Sequence, residues 1–286
     1  MEFNKEKQRE NIESFIRKMP SLSTTVGKVM EICSRTDASP NELNKVISLD
    51  PILAGQVLKL INSAYYSLIN KVTSLTRAIT MLGMNTVKNI ALSTAIIRTV
   101  SGVKKSRALP TAKFWEHSIG TGVSARLLGE VKGYSPMERE ELFLAGLLHD
   151  LGKVPFGDEY IEVLNIAKQD QQSLIEVERD LIGIDHQEVG LMIAEKWKLN
   201  KVITECITTH HEIDRLDGGA GQQVALVALA NIYTNILDHG YAGDPFPDEE
   251  DIARLLQLVD LSHDVFGTIG ARVIDEIHKS ELFLRT

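Results

Sequence analysis

Five histidines lie between positions 117 and 211, and one is followed directly by an aspartate: His117, His149-Asp150, His186 and the pair His210-His211. Intervals of 32, 37 and 24 residues between successive sites put each on a different helix or helix end. A metal centre in a helical bundle is assembled in this way, from side chains on facing helices rather than from one local loop. Imidazole and carboxylate together suit Fe, Mn, Zn, Ni or Co without selecting one. His149 and Asp150 end an apolar run over 142–148 and precede Leu151-Gly152-Lys153. Neighbouring helical positions point about 100° apart, so both side chains reach one ion only where the helix ends or distorts. A buried Asp after such a run demands a cation or several hydrogen bonds. Lys153 is placed to meet an anionic oxygen of a ligand. Each of the other histidines has a plainer alternative when taken singly. His210-His211-Glu212 reads as a solvated helix end, His186 as the start of a helix capped by Asp185, and His117 as a core histidine bonded to a carbonyl. His239, His263 and His278 read as surface residues.

The elements that must position these side chains are helices. Ser39-Pro40-Asn41-Glu42 and Ser135-Pro136-Met137-Glu138 each put a capping Ser before Pro, with Glu three residues after the cap, and Asp50-Pro51 is a third start. In each, the cap oxygen takes an orphan N–H, and Pro forfeits nothing where no N–H bond was available. Gly83 ends a helix over 74–82. Helical stretches are expected at 111–130, 136–149, 159–168, 173–181, 186–197, 201–210, 222–238, 249–259 and 265–282. Strand alternation is essentially missing, so the fold class is all-α. Linkers are expected at 101–110 and, with three glycines, at 216–221.

Composition limits the possible functions. The chain has 286 residues, 43% of them hydrophobic and 6% aromatic, which suits helix packing around a sizeable core. A net charge of −8 spread along the chain argues against nucleic acid as a partner. Cys33 and Cys206 form no CxxC pair, no apolar run is long enough to span a membrane, and the charged N-terminus is not a signal peptide. A cytoplasmic protein is expected.

Several motifs then fall in a recognisable order. They are Met19-Pro20-Ser21-Leu22-Ser23, Ile47-Ser48-Leu49-Asp50-Pro51, Asn62-Ser63-Ala64-Tyr65-Tyr66 and Ser74-Leu75-Thr76-Arg77-Ala78-Ile79, followed by Phe114-Trp115-Glu116-His117-Ser118, Gly146-Leu147-Leu148-His149-Asp150-Leu151-Gly152-Lys153, Asp185-His186-Gln187-Glu188-Val189-Gly190, His210-His211 and Ala230-Asn231. By these the chain resembles the HDOD domain, the HD-related output domain of bacterial signalling, over residues 15–215. The resemblance implies an N-terminal helical lobe over 15–108, an HD-like lobe over 109–215, and a C-terminal helical portion over 216–286 packing on the latter. The second lobe is also similar to the HD phosphohydrolase superfamily, including the HD-GYP cyclic-di-GMP phosphodiesterases. That similarity puts His117, His149, Asp150, His186, His210 and His211 on metal-ligand positions. Asn231 stands where the superfamily has a closing Asp, and Lys113 where some HD-GYP proteins have a Glu. No GYP motif follows His211.

Asn is neutral and a weak ligand, so the pocket is short of one negative charge; Lys113, if it points inward, would repel a cation. Asp238, one helical face along from Asn231 and Asn235, is a possible substitute carboxylate, though it also reads as a solvated helix end. The Asn62 motif reads as a helix terminus with a structural role. Two functions follow. One is a signalling output module acting by binding, with an incomplete metal pocket and a signalling protein or small nucleotide ligand as partner. The other is a metal-dependent phosphohydrolase acting on a nucleotide or phosphodiester, with Asp150 and Lys153 in its chemistry.

Overall fold

The computed structural model describes residues 4–63, 66, 71–102, 106–216, 218–243 and 249–280. Among these residues there are fifteen α-helices, two short 3-10 turns and no strand. The chain divides into two compact units: residues 20–102 with 274–286, and residues 1–19 with 103–273.

The first unit holds α2 (Thr24–Ser34), α3 (Pro40–Ile47), α4 (Pro51–Ile61), α5 (Leu75–Leu82) and α6 (Met84–Ser101). The starts of α3 and α4 are those the capping residues predict. Ser23, Ser39 and Ser74 each accept from the N–H three residues on, and Asp50 accepts from Ile52 and Leu53. Gly83, at φ +83°, turns the chain between α5 and α6 where an L side chain would be strained. Asn62 ends α4 and acts as a clamp. Its amide donates to the carbonyls of Leu58 and Val72 at 2.8 and 2.7 Å and accepts from the Val72 N–H at 2.7 Å. Those bonds give the Asn62 motif a structural role; Ala64 and Tyr65 lie outside the described residues.

The second unit carries the histidines. It contains α1 (Lys5–Lys18), α7 (Thr111–Val131), α8 (Pro136–Leu148), a 3-10 turn (Leu151–Lys153), α9 (Tyr160–Asp170), α10 (Leu174–Leu181), α11 (His186–Trp197), α12 (Lys201–Thr209), a second 3-10 turn (Ile213–Arg215), α13 (Gly218–Ile236) and α14 (Glu249–Leu258). α15 (Val265–Ser280) belongs to it as far as residue 273. α7 and α8 pack at van der Waals distance through glycine. A Cβ on Gly146 would lie 2.8 Å from the Gly122 Cα, and one on Gly122 would lie 2.7 Å from the Phe143 carbonyl oxygen. The first 3-10 turn is held equally close to α11, since a Cβ on Gly152 would fall 1.8 Å from the His186 carbonyl oxygen. The stretch 216–221 is not a linker. α13 begins at Gly218, so its glycines sit in the first helical turn, where the N–H groups have no intrahelical acceptor to lose. In the other expected linker, Ser106 and Arg107 are tied to Asp158, and Ala108 and Leu109 are buried. No described helix is long and apolar enough to cross a membrane.

Candidate metal centre

α8 stops at Leu148. His149 takes the cap position with helical angles, and Asp150, at φ −94° and ψ 11°, breaks into the 3-10 turn. That break aims two adjacent side chains at one point. His117 arrives from the middle of α7, His186 from the first position of α11, and His210 from the end of α12. Asp150 lies at the centre and is fully buried, as are His149 and His186.

The two carboxylate oxygens of Asp150 face different companies. Oδ2 lies 3.4 Å from His149 Nε2 and 3.8 Å from His117 Nε2, and it accepts from Lys153 Nζ at 2.8 Å. Oδ1 lies 3.5 Å from His186 Nε2 and 3.6 Å from His210 Nε2, and has no hydrogen-bond partner. His211 joins the second group, its ring centroid 4.3 Å from that of His210 and 5.1 Å from that of His186. The donor atoms thus form two sets that share Asp150: His117, His149 and Asp150, and Asp150, His186, His210 and His211.

The outward nitrogens fix which atoms face inward. His149 Nδ1 donates to the Gly146 carbonyl at 2.7 Å, His210 Nδ1 to the Cys206 carbonyl at 2.9 Å, and His186 Nδ1 to Glu178 Oε2 at 2.8 Å. Each acceptor holds the proton on Nδ1 and leaves a lone pair on Nε2. Burial pushes the His149 and His211 rings well below the usual imidazole range and lowers His210; it takes His117 down to about 4, against the pull of Asp150. Burial also opposes ionisation of Asp150, yet its neighbours, His149 and Lys153 foremost, hold its carboxyl well below the usual range. Lys153 Nζ, 2.8 Å from Asp150 Oδ2, is the ammonium paired with that carboxylate. Several lone pairs therefore converge on a carboxylate, with His149 Nε2 and Asp150 Oδ1 buried and unpartnered. Such a donor set, with each imidazole oriented by an acceptor behind it, fits a divalent cation.

The two lysines stand in different relations to the pocket. Lys153 is not turned to a ligand; it is buried and spends its charge on Asp150, because the tight 3-10 turn stacks positions 150 and 153. Lys113 points out to solvent and pairs with Glu116 at 2.7 Å, so it adds no charge to the pocket. Asn231 is buried beside His117, and its Oδ1 accepts from Asn235 at 3.4 Å. Asp238 lies beyond the end of α13 at φ +52° and is exposed, which is the solvated-end reading. His263 and His278 are exposed, but His239 is half-buried and its charge bears on His117. Gly240 packs on the backbone of His117, and the Tyr241 N–H donates to the Lys113 carbonyl at 3.0 Å, which draws His239 in.

Glu178, Tyr160 and Gln187 were not singled out from the sequence. Glu178 is fully buried and accepts from Tyr160 Oη, the His186 N–H and His186 Nδ1. Its signal was a carboxylate on the apolar face of α10, in line with Leu174, Ile175 and Ile182. Gln187 accepts from the His211 N–H at 3.1 Å and so ties α11 to the end of α12.

An all-helical unit closed around a buried His/Asp pocket defines the class as a helical protein with a candidate metal site. The HDOD domain model matches residues 19–213, and the chain belongs to the HDOD family. An HDOD domain protein of unknown function from Geobacter sulfurreducens has the same fold, with a TM-score of 0.78 at 23% identity over 98% of this chain and 99% of that one. A candidate phosphohydrolase from Shewanella amazonensis SB2B gives 0.69 at 20% identity over 94% and 97%. A candidate signal transduction protein from Marinobacter aquaeolei VT8 gives 0.74 at 18% identity over 99% of this chain and 67% of its own. At these identities the likeness is one of fold. An uncharacterised protein of Treponema pallidum (strain Nichols) is 24% identical over 229 residues, 77% of this chain and 43% of that protein. The chain thus spans less than half the length of that relative.

Proposed function

We propose that this chain is a regulatory HDOD module that acts by binding, built around one divalent metal ion held by Asp150, His186, His210 and His211. The observation that carries the reading is the asymmetry of Asp150. Oδ1 is free and faces oriented imidazoles, whereas Oδ2 is neutralised by Lys153 at 2.8 Å, and the helix above His117 offers Asn231 instead of a carboxylate. A hydrolase of the two-ion type needs charge enough for two cations close together, and the His117 side lacks it. A signalling role, with a signalling protein as partner in the cytoplasm, is supported by the family and by the description of the Marinobacter protein that shares the fold.

Phosphohydrolysis is the second reading, favoured by a polar cavity of about 560 Å³ that reaches His210 and His211. A bound ion would polarise an oxygen and acidify coordinated water. In that case Asp150 and the three imidazoles hold and orient the centre, while Lys153 acts through Asp150.

Elemental analysis of the purified protein, paired with a panel of nucleotides and phosphodiesters, tests both. About one metal ion per chain and no turnover are expected, with chelation lowering the melting temperature because the ion binds only the folded state. Turnover abolished by His149→Ala and Asp150→Ala would replace the first reading with the second. Protein that holds no metal and melts identically with and without chelator would overturn the metal centre.

A further inference from the structure

The cavity over the histidines has a floor, a donor and a charge pattern, and together they limit what it can take. His210, His211, Asn231 and Gln187 are among the residues that line it. Gln187 is 2% exposed. Its Oε1 is committed to the His211 N–H, which settles the orientation of the amide and turns Nε2 away from that backbone. Nε2 is buried and has no partner. A buried amide left without an acceptor is a standing cost, which an acceptor oxygen on a bound molecule would recover.

The charges around the cavity are sparse in cations. Arg179 is the one lining residue with a positive charge, and it is already engaged: Nε and Nη2 reach Asp185 Oδ2 at 2.7 and 2.6 Å, and Nη2 lies 3.7 Å from Glu212 Oε1. The other charged lining groups are Glu176, Glu212, Asp214 and Asp251. Arg215 and Arg254 pair with Glu212 and Asp214 from outside the lining, which offsets part of that charge without adding a donor to it. Recognition of multiply charged phosphates rests on clustered Arg and Lys. Here the neutral polar groups are mostly amides.

We propose that this cavity binds a small, singly charged oxyanion, a phosphodiester or a carboxylate, whose oxygen is gripped by Gln187 Nε2 beside the metal-binding histidines. The proposal rests on the metal-holding reading above and deepens it. Dianionic phosphomonoesters and larger polyphosphates are disfavoured by the acidic rim. Gln187 thereby becomes a specificity-determining residue, with Asn231 and Asn235 as the neighbouring neutral lining.

The test uses the full chain, labelled with ¹⁵N and assayed for metal, titrated separately with dimethyl phosphate, methyl phosphate and acetate. The Gln187 side-chain amide resonances are expected to shift with dimethyl phosphate or acetate, and the tighter of the two identifies the source of the oxyanion. Methyl phosphate, a dianion at pH 8, should bind more weakly than dimethyl phosphate. Gln187→Leu removes the donor together with the acceptor of the His211 N–H, and Gln187→Glu keeps the bond to His211 while replacing the donor with an anion. Both should weaken monoanion binding at least ~10-fold, the loss of one hydrogen bond to a charged group, and Gln187→Glu reads that loss with the His211 N–H still held. Tighter binding of methyl phosphate, or wild-type affinity in either folded variant, would overturn the proposal. If Gln187→Leu does not fold, Gln187→Glu carries the same comparison. Metal-loaded protein whose Gln187 resonances respond to neither monoanion overturns this inference alone. Metal-free protein whose Gln187 responds supports the contact and overturns the metal reading.

Discussion

The two sides of Asp150 are built from the same residue types and differ in what stands behind them. On the Oδ1 side, Glu178 holds His186 by its backbone and its ring, the Cys206 carbonyl holds His210, and Gln187 fixes the backbone at His211. On the Oδ2 side, His149 has the Gly146 carbonyl, but His117 Nδ1 has no hydrogen-bond partner and Lys153 already occupies the oxygen. A metal pocket is therefore decided by its second layer as much as by its ligands. A histidine whose outward nitrogen has no acceptor behind it spends more ordering entropy on binding, and a carboxylate already paired with an ammonium offers less charge to a cation.

The sharpest way to break this comparison is to remove one imidazole from each side. His210→Ala is expected to abolish stoichiometric metal, whereas His117→Ala should retain about one ion per chain; elemental analysis reads both, and equal loss would dissolve the asymmetry. Next in size is Glu178→Gln, which keeps the volume but weakens the acceptor behind His186. A loss of about 10- to 100-fold in metal affinity is expected, with Tyr160→Phe costing less because the His186 bonds remain; competition against a chelator measures it. Asn231→Asp tests the other side by returning a negative charge near His117. It should raise metal content above one ion per chain, and unchanged content would show that Lys153, not Asn231, limits that half. The smallest effect is expected from Lys113→Glu. Exposed and paired with Glu116, it should leave metal content unchanged, and any gain would place its charge inside the pocket after all.

Local chemistry was readable along the chain. Caps at Ser39, Asp50, Ser135 and Asp185 announce helix starts because an N-cap acts within three residues of itself. The distortion at His149-Asp150 follows from needing two neighbouring side chains on one point, and the helix does end there. The start of α13 was misread because three glycines look like a linker when their burial and neighbours are unknown. His239 was misread for a related reason: only the packing of Gly240 against α7 draws a polar segment inward.

By itself, then, the sequence determined an all-helical chain of the HDOD family, with six His and Asp side chains spread over different helices and helix ends and Asn in place of a closing Asp. Those properties are written in residue types and short spacings. The tertiary structure decided which oxygen of Asp150 faces which histidines, that Lys153 turns inward and Lys113 outward, and that Glu178 and Gln187 belong to the pocket. Each of these depends on contacts between residues distant in the chain or on the twist of a single turn, and neither is encoded in the spacing of the motifs.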